Sequence, residues 1–137
     1  MRKFFIASHG RFASGLRSSL EILLGKVENV TIFDAYLDER NVEDEVNNFL
    51  ANVHHEDQAI LLSDLYGGSV NQVLYRFLED PRVMLVTGVN LALVLELVAV
   101  SDAPLSNAEL DQLIALAQKA MRQCRLDDEA EMPSDFF

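Results

Sequence analysis

Two stretches of this chain, far apart in sequence, carry residue types that could do chemistry together. The first is Ser8-His9-Gly10, a titratable imidazole beside a flexible glycine. The second opens on Asp64 and runs Leu65-Tyr66-Gly67-Gly68-Ser69-Val70-Asn71-Gln72, a carboxylate followed by a glycine pair and a hydroxyl. A carboxylate that accepts a proton from one ring nitrogen fixes the tautomer of an imidazole and leaves the lone pair of the other nitrogen free to attack. The expected arrangement has Asp64 on the Nδ1 side of His9 and Nε2 as nucleophile, although the residues alone leave the two nitrogens interchangeable. If the electrophile is a phosphoryl group, the reaction needs alignment and donors for the equatorial oxygens, which Gly67, Gly68 and Ser69 could supply. This scheme requires neither metal nor organic cofactor. The plainer reading is a loop histidine with no role.

The elements that must position these residues follow from hydrophobic patterning. Phe4 to Ala7 is an apolar run too uniform for a strand with one wet face, so it reads as a strand buried on both sides. Leu16, Leu20, Leu23 and Leu24 then recur at helical spacing, which puts His9 in the turn between a strand and a helix. Gly25 is placed to end that helix, and Val30 to Phe33 reads as a second strand. Asn41 can cap a helix whose stripe is Val42, Val46, Phe49, Leu50 and Val53. Ala59 to Ser63 is a third buried strand ending at Asp64, and Ser69 with Gln72 has capping-box spacing for the helix that follows. The free amides at the start of that helix make an anion cradle. Val83 to Thr87 reads as a fourth strand, and the turn Gly88-Val89-Asn90 leads to a short apolar helix from Ala92 to about Val100. Ser106 and Glu109 form a second capping box before a helix carrying Leu110, Leu113, Ile114, Ala117 and Met121.

Alternating strands and helices predict an α/β fold, a single domain with a mostly parallel sheet covered on both faces. In the flavodoxin-like order 2-1-3-4, with room for an added antiparallel edge strand, the ends of the first and third strands are neighbours at the point where ligands bind. That order brings His9 beside Asp64 and the Gly67-Gly68-Ser69 turn.

Composition narrows the function further. At 137 residues and 50% hydrophobic content, the chain is the size of one domain with a real core. A formal charge of −11 argues against a general nucleic-acid binder, which needs a basic face. Arg2, Lys3, Arg11, Arg17 and Lys26 stand against Glu21 alone in the first 26 residues, so the histidine turn lies in the least negative part of the chain, which suits an incoming anion. Cys124 is the single cysteine, which points to a reduced compartment and an inert thiol. No signal-peptide core opens the chain, and Val89 to Val100 is too short to span a bilayer, so a cytoplasmic protein is expected. His54 and His55 are adjacent and lack a completing ligand, which reads as an exposed loop end. From residue 126 to 137 the chain is an acidic tail ending in Phe136-Phe137.

Rival chemistries lack their signatures. A receiver-type domain would need an acidic pair where Ser8 and His9 stand, a hydrolase elbow is broken by Asn71, and no Walker or Gly-x-Gly-x-x-Gly motif is present.

Ser8-His-Gly-Arg-Phe-Ala-Ser-Gly-Leu16 with Ser19 to Gly25, Asp64 to Asn71, and Gly88-Val-Asn-Leu91 resembles the IIA component of the mannose/fructose/sorbose class of the bacterial phosphoenolpyruvate-dependent sugar phosphotransferase system. The resemblance spans roughly residues 3 to 120 and assigns 1–125 to such a domain. It implies a phosphotransferase component, a phosphocarrier taking a phosphoryl group from the carrier HPr onto His9 and passing it to a histidine of a IIB protein (EIIB), which feeds membrane permease components. It further implies that the aspartate matching Asp64 pairs with the active histidine, that Gly67, Gly68 and Ser69 surround the phosphoryl group, and that the protein is a homodimer. The alternative use of the same residues is a regulatory phosphohistidine protein that reports the state of HPr to a partner without feeding a transporter. Val70 stands where the family often has proline, and no IIB-like domain follows, so EIIB is expected to be a separate polypeptide.

Overall fold

The computed structural model describes residues 1–99 and 103–127. Strand β1 (Arg2–His9) lies inside the sheet and has Phe5, Ile6 and Ala7 fully buried, which is why its sequence shows no alternation. Helix α1 (Phe12–Leu24) follows after a two-residue turn and ends on Gly25, whose φ of 82° suits the left-handed exit that glycine permits. Strand β2 (Val30–Ala35), helix α2 (Val42–Ala51), strand β3 (Gln58–Ser63) and helix α3 (Ser69–Tyr75) come next. A short 3₁₀ turn (Arg76–Glu79), strand β4 (Val83–Val86), helix α4 (Leu91–Ala99) and helix α5 (Asn107–Gln118) complete the described elements. Among the described residues no helix is long and apolar enough to cross a membrane.

The sheet is four-stranded and parallel throughout, in the order β2-β1-β3-β4. This is the expected order, and the described residues add no antiparallel edge strand to it. Alternate residues of each strand feed opposite layers. Phe4, Ile6, Ile60, Leu62 and Val86 pack with α1, α4 and α5, whereas Phe5, Ala7, Phe33, Ala59, Leu61 and Val83 pack with α2 and α3. Asn41 caps α2 through the Asp44 amide, and Ser106 and Glu109 make the reciprocal capping box of α5.

Several boundaries differ from expectation. Strand β1 extends to His9 and β2 to Ala35, because ladder pairing with neighbours carries both strands past their apolar runs. Helix α5 ends at Gln118, so Met121 does not join its apolar stripe and stands exposed. Cys124 is exposed. Of the acidic tail only Leu126 and Asp127 fall among the described residues; 128–137, with Phe136 and Phe137, lie outside them.

Candidate active site

At the carboxyl end of the sheet, the register sets β1 directly beside β3, with Ala7 opposite Ser63, so the next residues along the two strands diverge into one crevice. His9 and Asp64 meet there. Asp64 Oδ2 accepts from the backbone N–H of His9 at 2.9 Å, and Oδ2 and Oδ1 lie 3.0 and 3.3 Å from His9 Nδ1. The carboxylate is the more enclosed partner, 14% exposed against 40% for the imidazole side chain. Asp64 thus fixes the last residue of β1 and its ring together. With the proton on Nδ1 and donated to Asp64, Nε2 carries the lone pair.

The glycine turn closes the far side of the ring. Gly67 has φ +74°, a left-handed conformation that glycine adopts at little cost. Gly68 lies so close that a Cβ on it would stand 3.2 Å from His9 Cε1 and 3.3 Å from the Leu65 carbonyl oxygen. Ser69 Oγ is 3.3 Å from His9 Nε2. The expected capping box at this helix does not form. Gly68 is the N-cap, Ser69 is already helical, and no side chain caps α3. Gln72 reaches instead to the Gly67 carbonyl at 3.4 Å. Ser69 is therefore released from capping and turned toward the imidazole.

Three residues that sequence reasoning passed over help to build the site. Ser8 is buried beneath His9, and its hydroxyl accepts from the Ala13 amide at 2.8 Å, while Asp34 Oδ1 accepts from the Ser14 amide at 3.0 Å. These two side chains occupy amides in the first turn of α1, leaving the α3 end as the uncapped helix start beside His9. Tyr36, the residue after β2, has φ +70°, its hydroxyl hydrogen-bonds Ser69 Oγ, and its ring centroid is 5.4 Å from that of His9. Behind the site the buried Ser63 hydroxyl donates to Asn71 Oδ1 at 2.9 Å and lies 2.8 Å from Thr87 Oγ1, tying β3 to α3 and to the end of β4. Arg11 and Tyr66 flank the crevice and are exposed. His54 and His55 are exposed in a turn remote from it in the chain. Among the described residues no three His, Cys, Asp or Glu side chains gather in a group that could hold a metal ion.

An imidazole paired with a carboxylate, on a side chain 40% exposed and edged by a glycine turn and a hydroxyl, can accept an acyl or phosphoryl group. Comparison with known proteins narrows this choice. The chain matches the family model EIIA-man, described as the PTS system fructose IIA component, over residues 3–114. It is 24% identical over 127 residues to the PTS system fructose-specific EIIA component of Bacillus subtilis, covering 90% of this chain and 87% of that one. Among solved structures it is similar to a putative phosphoenolpyruvate-dependent sugar phosphotransferase system permease from Klebsiella pneumoniae, with 31% identity, a TM-score of 0.79, and coverage of 92% and 93%. It is also similar to the PTS IIA protein associated with the fucose utilization operon of Streptococcus pneumoniae, with 31% identity, a TM-score of 0.76, and coverage of 89% and 92%. The match of the family model across both the histidine turn and the glycine turn means that this chain belongs to the EIIA-man family of phosphotransferase-system IIA components.

Proposed function

We propose that this protein is a cytoplasmic phosphocarrier that accepts a phosphoryl group from phospho-HPr on His9 and passes it to a histidine of a separate EIIB, in support of carbohydrate uptake and phosphorylation. The observation that carries the reading is the pairing of His9 Nδ1 with Asp64 at 3.0 Å, which leaves Nε2 as the accessible nucleophile. In the forward step the Nε2 lone pair forms a nitrogen–phosphorus bond as the corresponding bond of the donor breaks, its electron pair returning to the donor's imidazole. The Nδ1 proton stays in place, and the positive charge that develops on the ring is stabilised by the Asp64 carboxylate. The Ser69 hydroxyl and the amide that follows Gly68 donate to the equatorial oxygens. Delivery to EIIB is the same displacement run outward. No step calls for a metal or organic cofactor. The reading takes the protein as a homodimer, with HPr and EIIB binding in turn over the His9 crevice and membrane permease components reached only through EIIB.

The test is incubation with phosphoenolpyruvate, the first enzyme of the system and HPr. One phosphate per chain, labile to acid and stable to base, is expected, and His9→Ala abolishes it. An acid-stable product, or equal labelling of His9→Ala, refutes His9 as the acceptor. Transfer of the label onward to an EIIB separates transport from a purely reporting role.

A further inference from the structure

Tyr36 is an unusual residue to find where it stands. Its φ of +70° makes it the one described residue other than glycine with a left-handed backbone, a conformation that an L side chain keeps only where its surroundings hold it. Burial does not hold it, since the residue is 61% exposed. What the conformation achieves is placement. It swings the phenol from the end of β2 across the His9 ring to Ser69 on α3, bridging two elements that flank the histidine. An exposed phenol hydroxyl has water freely available, so an aimed contact with Ser69 marks a specific arrangement.

The direction of this hydrogen-bond chain follows from its far end. With Nδ1–H donated to the Asp64 carboxylate, Nε2 has no proton and can only accept. Ser69 lies 3.3 Å from Nε2 and must therefore donate its single proton there. Its oxygen is left to accept, and Tyr36 O–H is the donor it faces. The relay reads Tyr36 O–H to Ser69 O–H to His9 Nε2, closed by Nδ1–H to Asp64.

We propose that Tyr36 is a positioning residue for phosphoryl transfer, acting through Ser69: its hydroxyl holds the Ser69 hydroxyl at Nε2, so that a donor stands ready when phosphorus takes the Nε2 lone pair to which that hydroxyl had donated. On attack the Ser69 O–H turns from the Nε2 lone pair to a phosphoryl oxygen, while the donation from Tyr36 continues to restrain and polarise it. No covalent bond to Tyr36 forms or breaks. The inference rests on the reading of His9 as acceptor.

The experiment is a double-mutant cycle with Tyr36→Phe, which keeps the ring and removes only the hydroxyl, and Ser69→Ala. Single-turnover transfer from phospho-HPr is expected to slow about three- to tenfold in Tyr36→Phe, the size of one neutral hydrogen bond. In the Ser69→Ala background the same change is expected to have no further effect, because the relay is already cut. A purely structural role for the ring predicts wild-type rates for Tyr36→Phe; that result, or independent losses that multiply, overturns the proposal. A second readout needs no phosphate. In an imidazole ¹⁵N spectrum of the unphosphorylated protein, the His9 Nε2 signal is expected to move in Tyr36→Phe and in Ser69→Ala, and not to move further in the double variant. An unmoved signal in Tyr36→Phe refutes the relay whatever the labelling shows. Wild-type protein that takes up no phosphate refutes the acceptor reading instead, and the spectrum then decides the relay alone.

Discussion

Asp64 holds His9 at two points, accepting from its backbone N–H at 2.9 Å and facing its Nδ1 at 3.0 Å with the same oxygen. The backbone contact locks the end of β1 to the end of β3, and the ring contact sets the tautomer. An asparagine in this place could keep one acceptor but has no charge with which to stabilise the imidazolium that the proposed phosphorylation of His9 would form. Asp64→Asn is therefore expected to slow labelling of His9 by roughly ten- to hundredfold, the size of one charge-assisted hydrogen bond, with the circular dichroism spectrum unchanged. Measured by rapid-quench transfer from phospho-HPr, an unaltered rate would remove Asp64 from the mechanism.

Gly68 tests the close approach of the glycine turn. Its φ of −71° and ψ of 165° are open to any residue, so strain is not what excludes a side chain. Space is. An alanine Cβ would sit 3.2 Å from His9 Cε1 and 3.3 Å from the Leu65 oxygen, and the more movable of the two is the half-exposed ring. Gly68→Ala is expected to push the imidazole off its line with Asp64 and Ser69, lowering the transfer rate several-fold while the melting temperature stays within a few degrees. A large loss of stability with normal transfer would mean that the backbone, not the ring, gives way.

The architecture was legible in the sequence because its signals are collective. Phe4 to Ala7 and Ala59 to Leu62 are apolar on both faces, and a parallel sheet sandwiched between helices buries both. Strand order then made neighbours of His9 and Asp64 without any local clue. What the sequence concealed depends on single torsions and rotamers. Ser69 and Gln72 have the spacing of a capping box, yet helix α3 starts one residue earlier than that spacing requires, and the serine turns to His9. Tyr36 belongs to the same crevice because β2 adjoins β1, but neither its left-handed φ nor its reach to Ser69 has any residue pattern to announce it. Ser8 and Asp34 were hidden for the same reason, since a serine before a histidine does not reveal that it accepts from an amide in the first turn of the next helix.

Ser63 offers a prediction about stability. Its hydroxyl is fully buried and joins Asn71 on α3 to Thr87 beyond β4, so the glycine turn is pinned from beneath. Removing it leaves the Asn71 amide oxygen short of its donor in an enclosed place. Ser63→Ala is expected to cost about 1–3 kcal/mol by urea denaturation, the range for orphaning a buried polar partner. A companion change of Asn71 to leucine should recover part of that loss, by deleting the orphan as well as its partner. Equal stability of Ser63→Ala and wild type would show that the three groups do not depend on one another.

The pair Asp80 and Arg82 makes stability depend on pH in a direction that can be stated. Arg82 donates through Nε and Nη2 to the Asp80 carboxylate, at 3.0 Å and 2.6 Å for the shorter contacts, and through Nη1 to the carbonyl oxygens of Leu50 and Val53. The guanidinium thereby ties the end of α2 to the entry of β4. Its hydrogen bonds hold the Asp80 carboxyl below the usual carboxylate range, outweighing the opposing effect of partial burial. A carboxyl held low in the folded state contributes stability that is complete above its unfolded value of about 3.9 and is lost as pH falls through the folded value. Asp80→Asn is accordingly expected to be less stable than wild type by about 1 kcal/mol at pH 7, with the gap closing as pH drops below about 4. Paired urea titrations at pH 7, 4 and 3 measure that gap directly, and subtraction removes the contribution of the other carboxylates common to both proteins. A gap that stays constant across the three conditions would place the stabilisation in the shape of the turn and not in the charge of Asp80.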